Sequence, residues 1–210
     1  MSNTLHRSLE TLFRELMDGA DANTGWMLNR HDAGLLRSLD TLSASAASTV
    51  PAAGGSSIAA HIDHVRYGLS LMNRWSHGEL DPWSSADWTA SWNRSVVSDE
   101  EWAGLRQALG AEALTWLEAL RTPRDYSEIE LNEVIASIAH LAYHFGAIRQ
   151  IDRSIRGPLR RSLFRLQTDR HQMVQWQDAL VELRLEPRYR AVLGAGEQHQ
   201  LQGGLVYREP

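Results

Sequence analysis

SEIELNEVIASIAHLAYHFGAIRQI, the stretch from Ser127 to Ile151, opens with the S-x-x-E pattern of a capping box. Ser127 can accept from the backbone three residues on, and Glu130 can reach back to the serine's own N–H, which satisfies two donors that a helix start otherwise leaves unpaired. Apolar residues then recur at helical intervals, and the spacing predicts a helix to about Ile155, ended by Gly157 and Pro158. Within it His140 and His144 lie four apart. At about 100° per residue such a pair shares one face, one turn apart, so two imidazoles can converge on one ion. Their stripe continues through Glu133, Ser137, Ala147 and Ile151, and its small and apolar members suit an inward face.

Working outward, the rest of the chain also reads as helices, and the fold class is all-α. A first helix spans about Thr4 to Asp18, with Leu5, Leu9, Leu12, Phe13 and Leu16 on one face and Gly19 as its stop. Residues 19–32 are loop-like, and a shorter helix follows from Ala33 to about Ala47. The linker Thr49 to Ser57 supplies serines that can cap a helix from Ile58 to about Trp75. Between His77 and Val97, Trp83, Trp88 and Trp92 punctuate a polar segment that reads as an ordered loop packed down by its indoles. A second capping box, Ser98 with Glu101, opens a helix to about Leu120, ended by Pro123. Leu159, Leu163, Leu166, Val174 and Leu180 suggest a fifth helix to about Leu185, and residues 186–210 read as a loose tail or a small hairpin.

Composition narrows the chemistry. The 210 residues, 43% of them hydrophobic, suit a globular domain that can bury a core without disulfides or a structural metal. All 21 basic residues are arginine, and against 26 acidic residues the net charge is −5, which disfavours nucleic-acid binding. With neither lysine nor cysteine, the chain itself can form no Schiff base or thioester, and cysteine zinc sites and iron–sulfur clusters are excluded. No run of about 18 apolar residues suggests a membrane span, and the first residues do not resemble a signal peptide, so a cytoplasmic protein without a membrane partner is expected.

Four of the nine histidines fall as two pairs, the second being His61 and His64. The stripe through His64 includes Ser57, Ala60, Gly68, Leu71 and Trp75, and Gly68 permits close approach of a helix or ligand. A histidine taken singly is more often a hydrogen-bonded residue than a ligand. Two pairs on inward faces of helices that a bundle would set side by side strengthen the metal reading, and three neutral imidazoles would leave coordination positions open for water or substrate. Spacing alone does not choose between His61 and His64. Trp26, Gly68 and Trp75 are candidates to line a pocket, and Arg149, opposite the histidines on its helix, reads as a surface or interface charge.

The segment Ser57-Ile-Ala-Ala-His61-Ile-Asp-His64 resembles the second-helix motif of the DinB-like (damage-inducible) metalloprotein superfamily. His140-Leu-Ala-Tyr-His144-Phe-Gly146-Ala-Ile148 is similar to its fourth-helix motif. The resemblance covers about residues 4–153 and not 156–210. It implies an up-and-down four-helix bundle over residues 1–155, followed by a C-terminal helix and tail over 156–210 that pack on the bundle or a partner subunit. It implies His64, His140 and His144 as metal ligands and His61 as a neighbour or alternative ligand. Leu141 and Phe145 depart from the polar residues usual at those places, and are expected to face neighbouring helices or the second subunit of a homodimer.

The resemblance further implies a transferase or isomerase that uses a low-molecular-weight thiol such as bacillithiol, mycothiol or glutathione on a small-molecule substrate. The absence of cysteine agrees, since a sulfur nucleophile would have to come from a bound thiol. Among divalent metals, zinc or nickel is expected ahead of iron, because imidazoles favour borderline ions late in the first transition row. Hydrolysis by metal-bound water competes, but Glu133 lies two turns from His140, about 10 Å along the axis, which leaves His61 as the available base. A stress-response metal-binding protein without turnover is the third reading.

Overall fold

The computed structural model describes residues 2–157 except Ala53, and these are helical with no strand. The helices are α1 (Ser2–Asp18), α2 (Gly34–Asp40), α3 (Ala44–Ala47), α4 (Ile58–Ser76), α5 (Asp99–Arg121) and α6 (Glu128–Ile151). Short 3-10 turns cover Ala90–Trp92 and Arg153–Ile155. The all-α expectation holds. The expected fifth helix and the tail of residues 186–210 lie outside the described residues.

Both capping boxes form, with Ser98 and Glu101 at the start of α5 and Ser127 and Glu130 at the start of α6. Ser57 caps α4, its hydroxyl accepting from the Ala60 N–H at 3.3 Å. Two boundaries differ from expectation, each because a short polar side chain offers the backbone an alternative partner. The single helix foreseen over residues 33–47 is two: Thr41 bonds back to the Ser38 carbonyl at 2.7 Å, and Ser43 starts α3 afresh by accepting from Ala46. Further on, α6 stops at Ile151 rather than near Ile155, since Asp152 leaves helical geometry and its carboxylate accepts from the Ser154 N–H at 2.8 Å.

The four long helices do not simply alternate in direction. His6, near the start of α1, donates to the Leu120 carbonyl and accepts from the Arg124 N–H, so α1 runs against α5. Ser57 at the start of α4 donates to the Ser95 carbonyl just before α5, and Asn73 near the end of α4 donates to the Glu112 carbonyl, so α4 and α5 are parallel. His61 meets His144 and His64 meets His140, so α4 and α6 are antiparallel. The expected up-and-down alternation therefore gives way to up, down, down, up. A 19-residue helix is about 28 Å long, and the connection of residues 77–98 has enough chain to return to the end where α4 began.

Between the helices lies one apolar core that includes Phe13, Leu16, Leu35, Leu39, Ile62, Leu109, Trp116 and Leu120, all fully buried. Leu141 and Phe145 are 1% exposed and belong to that core, so they pack inside the chain itself. Arg149, expected as a surface or interface charge, instead pairs with Asp32, which is 1% exposed, and its guanidinium lies over the Phe145 ring at 3.8 Å. The residue that draws it inward sits in the loop after α1, where no helical periodicity could place it.

That loop is held from α1. The buried Glu15 carboxylate accepts from the N–H groups of Trp26, Met27 and Leu28 at 2.6–3.0 Å. Gly19 (φ +108°) and Gly34 (φ +71°) pack against each other where the loop closes, and a Cβ on Gly34 would lie 2.3 Å from the Gly19 nitrogen. Glu15→Ala should lower unfolding free energy by about 2–3 kcal/mol, because three successive backbone N–H groups lose one charged acceptor at once. Denaturant titration measures this, and amide exchange at residues 26–28 should accelerate with it.

Candidate metal centre

Three of the four paired histidines present Nε2 atoms to one another. His64 Nε2 is 3.1 Å from His140 Nε2, which is 2.9 Å from His144 Nε2, and one ligand atom from each residue lies within 4.8 Å of the others. His64 and His144 are 7% and 3% exposed and His140 is half-buried. Antiparallel packing explains the arrangement, since α4 and α6 each contribute an inward face, and a Cβ added at Gly68 would stand in van der Waals contact with the His140 ring, 3.7 Å from it.

Hydrogen bonding sets the tautomer of His64. Ser91 Oγ donates to the Trp88 carbonyl at 2.7 Å, so its lone pair accepts from His64 Nδ1–H, also at 2.7 Å. The His64 Nε2 lone pair is then aimed at the other two imidazoles. On the far side of His144, Nδ1 lies 2.9 Å from Nδ1 of His61, which places His61 behind a member of the triad rather than in it. Outer partners of this kind orient metal-binding imidazoles and fix which nitrogen is free.

Protonation points the same way. Burial, reinforced by the neighbouring imidazoles, pushes His64 down to about 4 and His144 down to about 3; burial also lowers His61 and His140. All four rings are therefore neutral at pH 7. Neutral rings cannot satisfy both Nε2 contacts. With no proton on His64 Nε2, one proton at His140 or His144 serves one contact and leaves the other short and uncompensated. A cation between the three nitrogens satisfies them together. At metal–nitrogen distances of about 2.1 Å, ligands at right angles are about 3.0 Å apart and tetrahedral ones about 3.4 Å apart. The observed separations fit a divalent ion, and the three histidines could hold one.

The tryptophan-rich connection forms one wall. Trp92 stacks on His64 with ring centroids 4.2 Å apart and meets His61 edge-on at 5.2 Å, while Trp88 lies 5.5 Å from His64. Next to His140 a cavity of about 260 Å³ is lined by Gly68, Leu69, Met72, Trp83, Trp88 and Glu133, among others. Trp26 is 70% exposed, with its N–H on Glu15, and Trp75 is buried against Trp83, Trp116 and Tyr126; neither lines this cavity. Ser91, Trp88 and Trp92 went unnoticed in the sequence as neighbours of the histidines, because an aperiodic loop gives no rule for which side chain reaches which helix. Asp63, the residue before His64, pairs instead with Arg66 and Arg94.

Comparison of the chain with family models, with curated proteins and with solved structures returns no match.

Two measurements test the geometry. Elemental analysis of tag-free protein should show about one divalent ion per chain, lost in His64→Ala, His140→Ala and His144→Ala; Ser91→Ala and His61→Ala should weaken affinity by about 10–100-fold without abolishing it. In chelator-stripped protein, acid should destabilise the fold through these rings. Unfolded imidazoles protonate near 6.5, whereas His64 resists until about 4 and His144 until about 3. Between those values the unfolded state binds more protons, so stability falls as pH drops from about 6.5 towards 4 and is insensitive to these groups above that range. Thermal melts across that range measure it, and His144→Asn should flatten the slope.

Proposed function

We propose that the protein is a metal-dependent transferase that joins a low-molecular-weight thiol to a small electrophile, built on a DinB-like four-helix bundle. The observation that carries the reading is the set of three neutral imidazoles from α4 and α6, with the His140 Nε2 atom 3.1 Å from that of His64 and 2.9 Å from that of His144, beside a largely apolar cavity. Three protein ligands leave room in the coordination shell, which a closed structural site does not. A divalent ion there, zinc or nickel by the imidazole donor set, supplies the positive charge that keeps a thiol sulfur deprotonated at neutral pH.

The remaining roles fall to the chain. Ser91 and His61 hold two of the imidazoles in register, so the donor atoms face one point before anything binds. Trp88 and Trp92 cover His64 and reduce access of water, which strengthens electrostatic interactions at the centre. The cavity walls orient the electrophile; the thiol proton passes to solvent, and as the carbon accepts the sulfur electron pair to form the carbon–sulfur bond, its bond to the leaving group breaks and that group departs with the bonding pair. No cysteine or lysine in the chain can compete as nucleophile.

Hydrolysis is supported less well. The nearest spare base would be His61, and its Nδ1 already contacts His144. Glu133 stands at the other end of the cavity. The discriminating experiment is cobalt substitution followed by titration with glutathione, mycothiol and bacillithiol. Thiol ligation is expected as a new sulfur-to-metal charge-transfer band with at least one of them. A spectrum unchanged by all three would overturn thiol transfer and leave ester or amide hydrolysis to be assayed.

A further inference from the structure

The cavity beside His140 is chemically lopsided. Its walls include Val65, Leu69, Met72, Trp83 and Trp88, and the Ser137 hydroxyl on the same wall is already engaged, donating to the Val134 carbonyl and accepting from the Trp116 indole N–H; His140 lies towards one end and Glu133 towards the other. Those two residues are seven apart on one helix, which sets the ends about 10 Å from each other. Glu133 is half-buried and makes no ion pair among the described residues, unlike the carboxylates of Glu10, Asp32, Asp40, Asp63 and Glu79. Burial and the nearby Glu130 and Asp81 raise its pKa, so the carboxylate lacks a positive neighbour at home. None of the lining residues is an arginine, and the chain has no lysine. The walls therefore offer an anionic ligand no guanidinium or ammonium, whereas Glu133 offers a cation a carboxylate.

The geometry points to a specific ligand class: a slender apolar molecule with a protonated amine at one end, the ammonium on Glu133 and the opposite end beside His140. A six-carbon chain spans most of the gap, and the indoles of Trp83 and Trp88 add favourable contact for alkyl groups and for a cation passing over them. The assignment rests on the proposed function in one respect, that the end beside His140 is the reacting end; the binding claim itself concerns only the cavity.

The test uses the full chain equilibrated with zinc, its metal content measured on the same sample, and two probes, n-hexylammonium and n-hexanol, followed by calorimetry. The ammonium should bind about tenfold more tightly than the alcohol, and Glu133→Gln should bring the two to within about twofold. Ala136→Leu, which fills the cavity from its rim, should weaken both. A preference that survives Glu133→Gln would place the amine on the metal instead and overturn the assignment. Equal affinities, no binding of either probe, or indifference to Ala136→Leu would overturn it as well. Circular dichroism of each variant confirms that it has folded. One zinc per chain with no ammonium preference defeats this inference alone. The full preference in protein that holds no zinc leaves the inference standing and defeats the proposed function.

Discussion

The antiparallel packing of α4 on α6 is the contact from which the rest of the molecule follows. It sets His64 opposite His140 and His61 opposite His144, so four imidazoles meet at one level of the helix pair. Dehydrating them is unfavourable for their charged forms, and it is offset by the apolar residues on the same two helices. Ile58, Ile62, Val65 and Leu69 of α4 and Val134, Ile138, Leu141, Phe145 and Ile148 of α6 are all buried, and each such side chain contributes about 1.5–3 kcal/mol when fully removed from water. The histidines are held by their neighbours' burial more than by their own hydrogen bonds.

What closes the site is not helical. Residues 77–98 return the chain past α4, and on the way the turn at Ala90–Trp92 brings Ser91 to Nδ1 of His64 and lays Trp92 on its ring. The parallel course of α4 and α5 demands this long connection, because a short turn would have forced the two helices antiparallel. Topology and site are thus linked: the segment that permits the direction of α5 also selects the tautomer of one imidazole of the candidate metal centre.

The C-terminal end of α6 is fixed by a different device. Arg149, little more than a turn beyond His144, pairs with the buried Asp32, and the loop that carries Asp32 is itself tied to α1 through Glu15. A buried ion pair contributes little net stability, but removing either partner leaves the other charge uncompensated, so the pair constrains where the end of α6 can sit. Since one helix carries both Arg149 and the His140–His144 pair, a shift of the loop would be felt at the imidazoles.

Local chemistry was legible without coordinates wherever it depends on neighbours in sequence. The capping boxes at Ser98 and Ser127, the cap at Ser57, the stop at Gly19, and the shared face of His140 and His144 follow from the period of the helix and the reach of short side chains. The split between α2 and α3 and the early end of α6 were less plain, because serine, threonine and aspartate compete for backbone groups at energies close to those of helix propagation. Only the tertiary structure decided that α4 and α5 run parallel, that His61 stands behind His144 while His64 faces His140, that Arg149 turns inward to Asp32, and that Trp88 and Trp92 rather than Trp26 and Trp75 flank the histidines. Each of these joins residues far apart in the chain through an aperiodic connection, and the path of such a connection is set by what it packs against, not by any pattern it carries.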